Sequence, residues 1–244
     1  MKCLVTGGSG FLGSHVVDEL TKRGHKITIF DKRSSRWKKN NQKIIISDLL
    51  NYNSLEKAIK GQDIIFHFAA LSDLGESLYK PIKTIEHNIL GTAYALEICK
   101  KYKIKRFIHA STIYVNSNQG GFYRSSKKAA EDYVEEYQKR YGLDFTILRF
   151  GSLYGDRSNK SNGVRQIVEN ALKNKEISYI GTSKTIREYI HVKDAAKATA
   201  DILKNKYKNQ HIMITGKSKI KLPYFLRILS KILKIKKEIR FKNK

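Results

Sequence analysis

The segment Thr6-Gly7-Gly8-Ser9-Gly10-Phe11-Leu12-Gly13 constrains the fold more than any other part of this chain. It follows an apolar run over residues 2–6 and opens a stretch in which Val16, Val17 and Leu20 share one helical face. Gly7, Gly10 and Gly13 have the spacing of a strand–turn–helix that receives a pyrophosphate. The first glycine permits the tight turn, the second lets backbone N–H groups approach the phosphates, and the third lets helix and strand pack closely. The helix N-terminus, with Phe11 and Leu12 in its first turn, adds a partial positive charge. An acidic residue, Asp31, ends the next apolar run, 18 positions beyond Gly13. Its carboxylate suits the two ribose hydroxyls of a dinucleotide and repels a 2′-phosphate, which favours NAD over NADP, although Lys32 and Arg33 follow directly.

The rest of the chain repeats the strand–helix alternation. Strands are expected over 2–6, 26–31, 43–48, 63–68, 106–111 and 144–149, with helical patterns between most of them, such as Ala93, Leu96 and Cys99. Nearly continuous apolar strands alternating with helices mean βαβ units and a doubly wound, Rossmann-type parallel sheet. After Arg149 the pattern loosens around Gly151, Gly155, Gly163 and Gly181. Residues 1–150 are therefore expected to form the dinucleotide domain, and 151–244 a small substrate-binding lobe interleaved with it. At the carboxyl ends of the strands, Asp48 and Leu49 lie where an adenine would sit. Asp48 is either an acceptor for the adenine amino group or the N-cap of the next helix. Phe68, Ala69 and Ala70 end the fourth strand with mostly small side chains, which would let a cofactor lie against the backbone.

Two further features bring chemistry to that end of the sheet. Tyr123 and Lys127 are four residues apart at the start of a strong helical pattern, so they share one face. A free tyrosine is a poor base at neutral pH, and a neighbouring ammonium together with an oxidised nicotinamide is expected to favour its phenolate. The fifth strand ends in Ala110-Ser111-Thr112, which offers a hydroxyl to the same substrate oxygen.

Composition excludes some classes. No stretch approaches the roughly 20 apolar residues of a membrane span. The N-terminus carries no secretory pattern. The two cysteines, Cys3 and Cys99, fall in apolar runs, so a reduced, cytoplasmic setting is the simpler expectation. Seven histidines without ligand spacing give no metal site. The formal net charge of +26 arises from 48 Lys and Arg against 22 Asp and Glu. The lysines are dispersed and no basic run is interleaved with stacking aromatics, so no nucleic-acid partner is expected. An anionic substrate would still benefit from such a field. The C-terminal stripe Phe225, Ile228, Leu229, Ile232 and Leu233 reads either as a helix docked on the small lobe or as one lying on a membrane.

These residues together resemble the extended short-chain dehydrogenases/reductases, specifically the NAD-dependent nucleotide-sugar epimerase/dehydratase group. The likeness rests on TGGSGFLG, Asp31, HFAA, ASTIYV, YRSSK, LRFGSLYGDR and REYIHVKDAA, and covers nearly the whole chain. It implies NAD as cofactor, Tyr123 as catalytic base, Lys127 as its partner and holder of the nicotinamide ribose, and Thr112 as the catalytic hydroxyl beside Ser111. It implies that Asn88 is the helix asparagine of the family. It also implies that Ser72, Ser152 and Arg187 contact substrate, Arg187 through a phosphate. A homodimer built from the helices over 81–101 and 123–141 is implied in the same way.

Three departures refine the resemblance. The dehydratases of the group carry an Asp-Glu pair after the catalytic threonine, but here Ile113 and Tyr114 stand there. Asn116 and Ser117 replace a usual Tyr-Gly, and Ser152 a usual Asn. The chain ends soon after the helix expected over 224–234, so a smaller pocket, or one completed by a partner chain, is expected. The resulting expectation is an epimerase that passes through a keto-sugar, of the UDP-sugar 4-epimerase type. The alternatives are a net NAD(P)-dependent sugar reductase or dehydrogenase, and a non-catalytic nucleotide-binding or RNA-binding relative.

Overall fold

The computed structural model describes residues 1–237 and 239–242. The chain divides into two compact units, one made of residues 1–150 and 193–214, the other of 151–192 and 215–244.

The larger unit is a seven-stranded parallel sheet flanked by helices. Its strands are β1 (Lys2–Thr6), β2 (Lys26–Asp31), β3 (Lys43–Ile46), β4 (Ile64–His67), β5 (Arg106–Thr112), β6 (Phe145–Phe150) and, from the later segment, Gln210–Ile214. The spatial order, with the Gln210–Ile214 strand first, continues β6-β5-β4-β1-β2-β3. Every pairing in this sheet is parallel. The order reverses between β1 and β4, where open α/β sheets bind ligands at the strands' carboxyl ends. Helix α1 (Phe11–Lys22) follows β1, α2 (Tyr52–Ile59) follows β3, and α3 (Leu74–Tyr79) follows β4.

Six of the seven strands lie where the apolar runs put them, with ends shifted by one or two residues. The seventh went unread. Among the described residues Gln210–Ile214 pairs with β6 alone at the sheet edge, and its apolar run is just Ile212, Met213 and Ile214, of which Ile214 alone is fully buried.

The expected long helix over 81–101 is one continuous path with an irregular middle. It runs as α4 (Pro81–Ile85), a π-helical turn at Glu86–Leu90, and α5 (Gly91–Lys101). A π turn adds a residue per turn, which shifts the faces on either side and often marks a functional position. Here it carries Asn88. The long helix α6 (Gly121–Tyr141) opens two turns' worth of residues before the strong formers begin, from Gly120 in the left-handed region. A core of Leu4, Phe30, Leu55, Ile65, Leu96, Ile98, Phe107 and Ile147, all at most 1% exposed, binds sheet and helices together.

Among its described residues the smaller unit has three two-stranded ribbons and two main helices. Ribbons pair β7 (Ser152–Tyr154) with Tyr189–His191, β8 (Ser178–Ile180) with Arg240–Lys242, and β9 (Ile186–Arg187) with Ile220–Lys221. Helix α7 (Gly163–Asn174) contributes Ile167 and Ala171 to a small core, and the helix Leu222–Ile232 contributes Leu222 and Leu226, with Phe225, Leu229 and Leu233 packed against it. The C-terminal apolar stripe is therefore spent on the unit's own core, and the docked reading holds. Only Ile232 of the stripe is left exposed.

Candidate active site

The glycine turn closes tightly on itself. Gly7 has φ +70° and donates its N–H to Phe30 O at 2.8 Å, and Gly10 donates to Gly7 O at 3.0 Å. A Cβ at Gly13 would lie 2.2 Å from Gly7 O, and one at Gly7 would lie 2.7 Å from Ala69 N. Only glycine lets the β1–α1 turn and the end of β4 approach this closely. Helix α1 begins at Phe11 with Gly10 as N-cap and no side chain capping its first-turn amides. The N–H groups of Phe11, Leu12 and Gly13 therefore point outward as an anion-binding end. An uncapped helix end, glycines where side chains would collide, and Ala69 and Ala70 beside them fit a dinucleotide's pyrophosphate.

Asp31 sits at the end of β2 and does more than the sequence revealed. Its carboxylate accepts from Ser9 N at 3.0 Å and from Arg33 N at 3.1 Å. It thus ties the glycine turn to the loop after β2 while keeping acceptor capacity for ribose hydroxyls. At the end of β3, Asp48 accepts from Leu50 N at 2.8 Å, and Leu49 is buried in the core. The N-cap of α2 is Asn51, whose Oδ1 accepts from Ser54 N at 3.0 Å. The capping alternative for Asp48 is therefore wrong: three further residues separate it from the first helical amides.

Two elements carry the reactive groups. The pleat of β5 delivers Thr112 at its carboxyl end, where Thr112 Oγ1 accepts from Tyr114 N at 3.3 Å and its own O–H remains to donate. Tyr123 is half-buried in the first turn of α6, and Lys127, one turn later, is buried with Nζ donating to Ala110 O at 2.7 Å. Desolvation pulls the Lys127 ammonium down to about 8, against the opposing pull of Glu131. Burial, aided by Tyr114, pushes the Tyr123 phenol above its ordinary value. Burial is the larger of these two effects on the phenol, and the expected pull toward the phenolate comes from the lysine together with an oxidised nicotinamide.

Ser111 points its hydroxyl to Glu131, with which it makes a short hydrogen bond. Its side chain is thus engaged within the protein, and only its backbone faces the strand end. Glu131 is fully buried and holds Arg149 through two contacts, 3.1 Å from Nε and 2.6 Å from Nη2. This clamp joins α6 to β5 and β6. Sequence reasoning missed it, although Tyr123, Lys127 and Glu131 recur at steps of four on one helical face.

Asn88 is fully buried on the π turn. Its Oδ1 accepts from Leu71 N at 2.7 Å, and its Nδ2 donates to Leu71 O at 3.0 Å and to Ser126 Oγ at 2.9 Å. Ser126 Oγ in turn donates to Tyr123 O at 2.8 Å. Phe68 donates its N–H to Thr6 O at 3.1 Å, holding the end of β4 beside β1. Ser72, just beyond Leu71, is exposed. The remaining predicted contacts belong to the smaller unit. Ser152 opens β7 and donates its N–H to Glu188 O at 3.0 Å, and Arg187 lies half-buried on β9. Among the described residues no cluster of three or more His, Cys, Asp or Glu is arranged to hold a metal ion.

The sequence pattern of the NAD dependent epimerase/dehydratase family matches residues 3–215. The chain is 32% identical over 240 residues to a dTDP-D-glucose 4,6-dehydratase of Dictyostelium discoideum, a match covering 83% of the chain and 55% of that enzyme. It thus spans about half the dehydratase's length. It is 31% identical over 239 residues to a UDP-N-acetyl-alpha-D-glucosaminuronate decarboxylase of Bacillus cytotoxicus, covering 87% of the chain and 74% of that protein. Its fold is similar to the crystal structure of UDP-glucose 4-epimerase from Thermotoga maritima with UDP-glucose. The TM-score is 0.91 at 28% identity, covering 100% of this chain and 86% of that one.

Proposed function

The chain belongs to the NAD dependent epimerase/dehydratase family, and from that premise we propose that it is an NAD-dependent epimerase acting on a nucleotide sugar, of the UDP-sugar 4-epimerase type. One observation carries the choice within the family. Thr112, Tyr123 and Lys127 stand together, while Ile113 and Tyr114 follow Thr112 where elimination of water would need an acid and a base. Neither side chain can move the protons that a dehydratase reaction requires.

The glycine turn, Asp31 and Lys127 would hold NAD, which when bound would supply the acceptor and donor of hydride for a transient oxidation of the sugar. Tyr123 Oη takes the proton of the reacting sugar hydroxyl as its carbon becomes a ketone. It returns the proton when the alcohol is restored on the opposite face. Thr112 Oγ1, anchored by Tyr114 N, donates to the same oxygen and fixes its direction. Lys127 Nζ, anchored on Ala110 O, holds positive charge against Tyr123 and favours the phenolate when proton transfer is due. General-base help of this kind is worth about 100- to 10,000-fold. Asn88 fixes the Leu71 backbone in the loop after β4, Asp48 and Leu49 border the adenine, and Ser72, Ser152 and Arg187 meet the substrate, Arg187 at a phosphate.

The assembly is a homodimer through the α4 and α6 faces, where Ile82, Ile85 and Tyr133 are left exposed at 67%, 50% and 49%. Exposed apolar groups concentrated on two neighbouring helices are costly in a monomer. The free, buried cysteines Cys3 and Cys99 suit a reducing cytoplasm.

The experiment is turnover of a panel of UDP- and dTDP-sugars, run on the wild type and on Tyr123→Phe. The expected result is a C4 epimer from the wild type without accumulation of reduced nicotinamide, and no product from Tyr123→Phe, which still binds NAD. A steady rise in reduced nicotinamide, or release of water or carbon dioxide, would replace this reading with a net redox, dehydratase or decarboxylase one.

A further inference from the structure

His67 ends β4 between the glycine turn and the catalytic helix and is fully buried. Its Nδ1 is 3.0 Å from Thr6 Oγ1 and its Nε2 is 3.2 Å from Thr92 Oγ1. The partners decide which nitrogen carries the proton. Thr92 donates its only hydroxyl proton to Asn88 O at 2.7 Å, so its oxygen can only accept from His67 Nε2–H. Thr6 Oγ1 accepts from Ala69 N at 3.2 Å, which leaves its own proton to donate to His67 Nδ1. The bonds of Asn88 and Ser126 described above continue this chain to Tyr123 O. Every donor along the path is used in one consistent direction.

We propose that His67 is a positioning residue, fixed as the neutral Nε2–H tautomer, that couples the dinucleotide turn at Thr6–Gly7 to the catalytic helix through a hydrogen-bonded spine of Thr6, His67, Thr92, Asn88 and Ser126. The proposal rests on the catalytic placing of Tyr123 and Lys127. The spine starts one residue before Gly7 and ends on the backbone of Tyr123. It crosses the π turn, which carries Asn88. Buried networks of this kind strengthen cooperatively when every member is satisfied. The groups that face the ring keep it neutral. His109 stacks on it at 5.9 Å and Phe107 lies at 5.3 Å, both from β5, and Lys127 of α6 adds positive charge. Burial then holds His67 down to about 3.

Two measurements test the spine without relying on sugar turnover. The first is ¹⁵N NMR of the His67 ring in the full chain, with and without NAD. The expected result is a single Nε2–H tautomer that does not titrate between pH 5 and 9. An Nδ1–H tautomer, or a titration in that range, would overturn the proposal. The second is a double-mutant cycle between Thr6→Val and Ser126→Ala, which do not touch, read as the dissociation constant of NAD. Each single change is expected to weaken NAD roughly fivefold, about the value of one hydrogen bond. The double variant is expected to be little worse than either single, because the spine is already cut, whereas independent sites multiply to about 25-fold. A multiplicative result refutes the coupling. Thr6→Ser, which keeps the hydroxyl, is expected to restore affinity, a rescue that a purely space-filling role would not give. Should the sugar panel fail while the coupling holds, the epimerase assignment falls and the spine stands.

Discussion

Lys127→Met separates what the lysine does for the reaction from what it does to the fold. Lys127 is 3% exposed, and its single hydrogen bond to Ala110 O does not repay the desolvation of an ammonium, so its proton leaves at about 8 instead of 10.5. At pH 7 the folded chain carries this charge at a cost of about 3 kcal/mol relative to the unfolded chain. Methionine fills nearly the same volume without a charge and gives up one hydrogen bond of about 1 kcal/mol. The variant should therefore be more stable at pH 7 by about 2 kcal/mol, or about 5 °C in Tm for a chain of this size, while losing turnover. The pH dependence identifies the cause. Between about 8 and 10.5 the unfolded chain holds a proton that the folded chain has released, so wild-type stability rises with pH across that window. Below the folded value the deficit is constant. By pH 9.5 the wild type should have recovered about 2 kcal/mol relative to Lys127→Met. The window closes near pH 10, where unfolded tyrosines begin to ionise while Tyr123 holds its proton, which pulls stability the other way. Urea unfolding of both proteins at intervals from pH 7 to 9.5 is the assay. Parallel curves, or a variant less stable than wild type at pH 7, would refute the reasoning.

Gly13→Ala would place Cβ 2.2 Å from Gly7 O, a backbone atom with no rotamer to yield, so the turn must open by about 1 Å. Calorimetry should show NAD affinity falling about 100-fold, with a loss of 1–3 kcal/mol in stability from overpacking. Unchanged affinity would mean that the turn does not bind the pyrophosphate. Ile82→Lys puts a charge on the exposed α4 face and should convert a dimer to a monomer in sedimentation velocity; an unchanged sedimentation coefficient would move the interface elsewhere.

The parts of this fold that were legible in the sequence are those whose physics is local. The glycine turn is written in three residues, because only glycine tolerates the approach of β1, α1 and β4 at Gly7 and Gly13. Central strands buried on both faces read as apolar runs, and Tyr123 and Lys127 share a face by helical spacing. What was not legible depends on partners distant in the chain. The edge strand Gln210–Ile214 has only Ile212, Met213 and Ile214 as an apolar run, too short to stand out as the central strands do. The π turn changes hydrogen bonding without changing hydrophobic periodicity. The capping role went to Asn51 because three residues of loop follow Asp48. The burial that raises the Tyr123 phenol is invisible in the motif, which shows only its spacing to Lys127. His67, Glu131 and Arg149 left a fainter trace: strongly polar residues inside otherwise apolar strand and helix faces, which in a folded chain must be paired.

The most direct test of the central claim follows one atom. UDP-glucose carrying deuterium at C4, incubated with the NAD-loaded protein, should yield UDP-galactose that keeps the label at C4, with no net reduced nicotinamide. A product that has lost the label, or a 4-keto-6-deoxy sugar in its place, would contradict an epimerase built on Thr112, Tyr123 and Lys127.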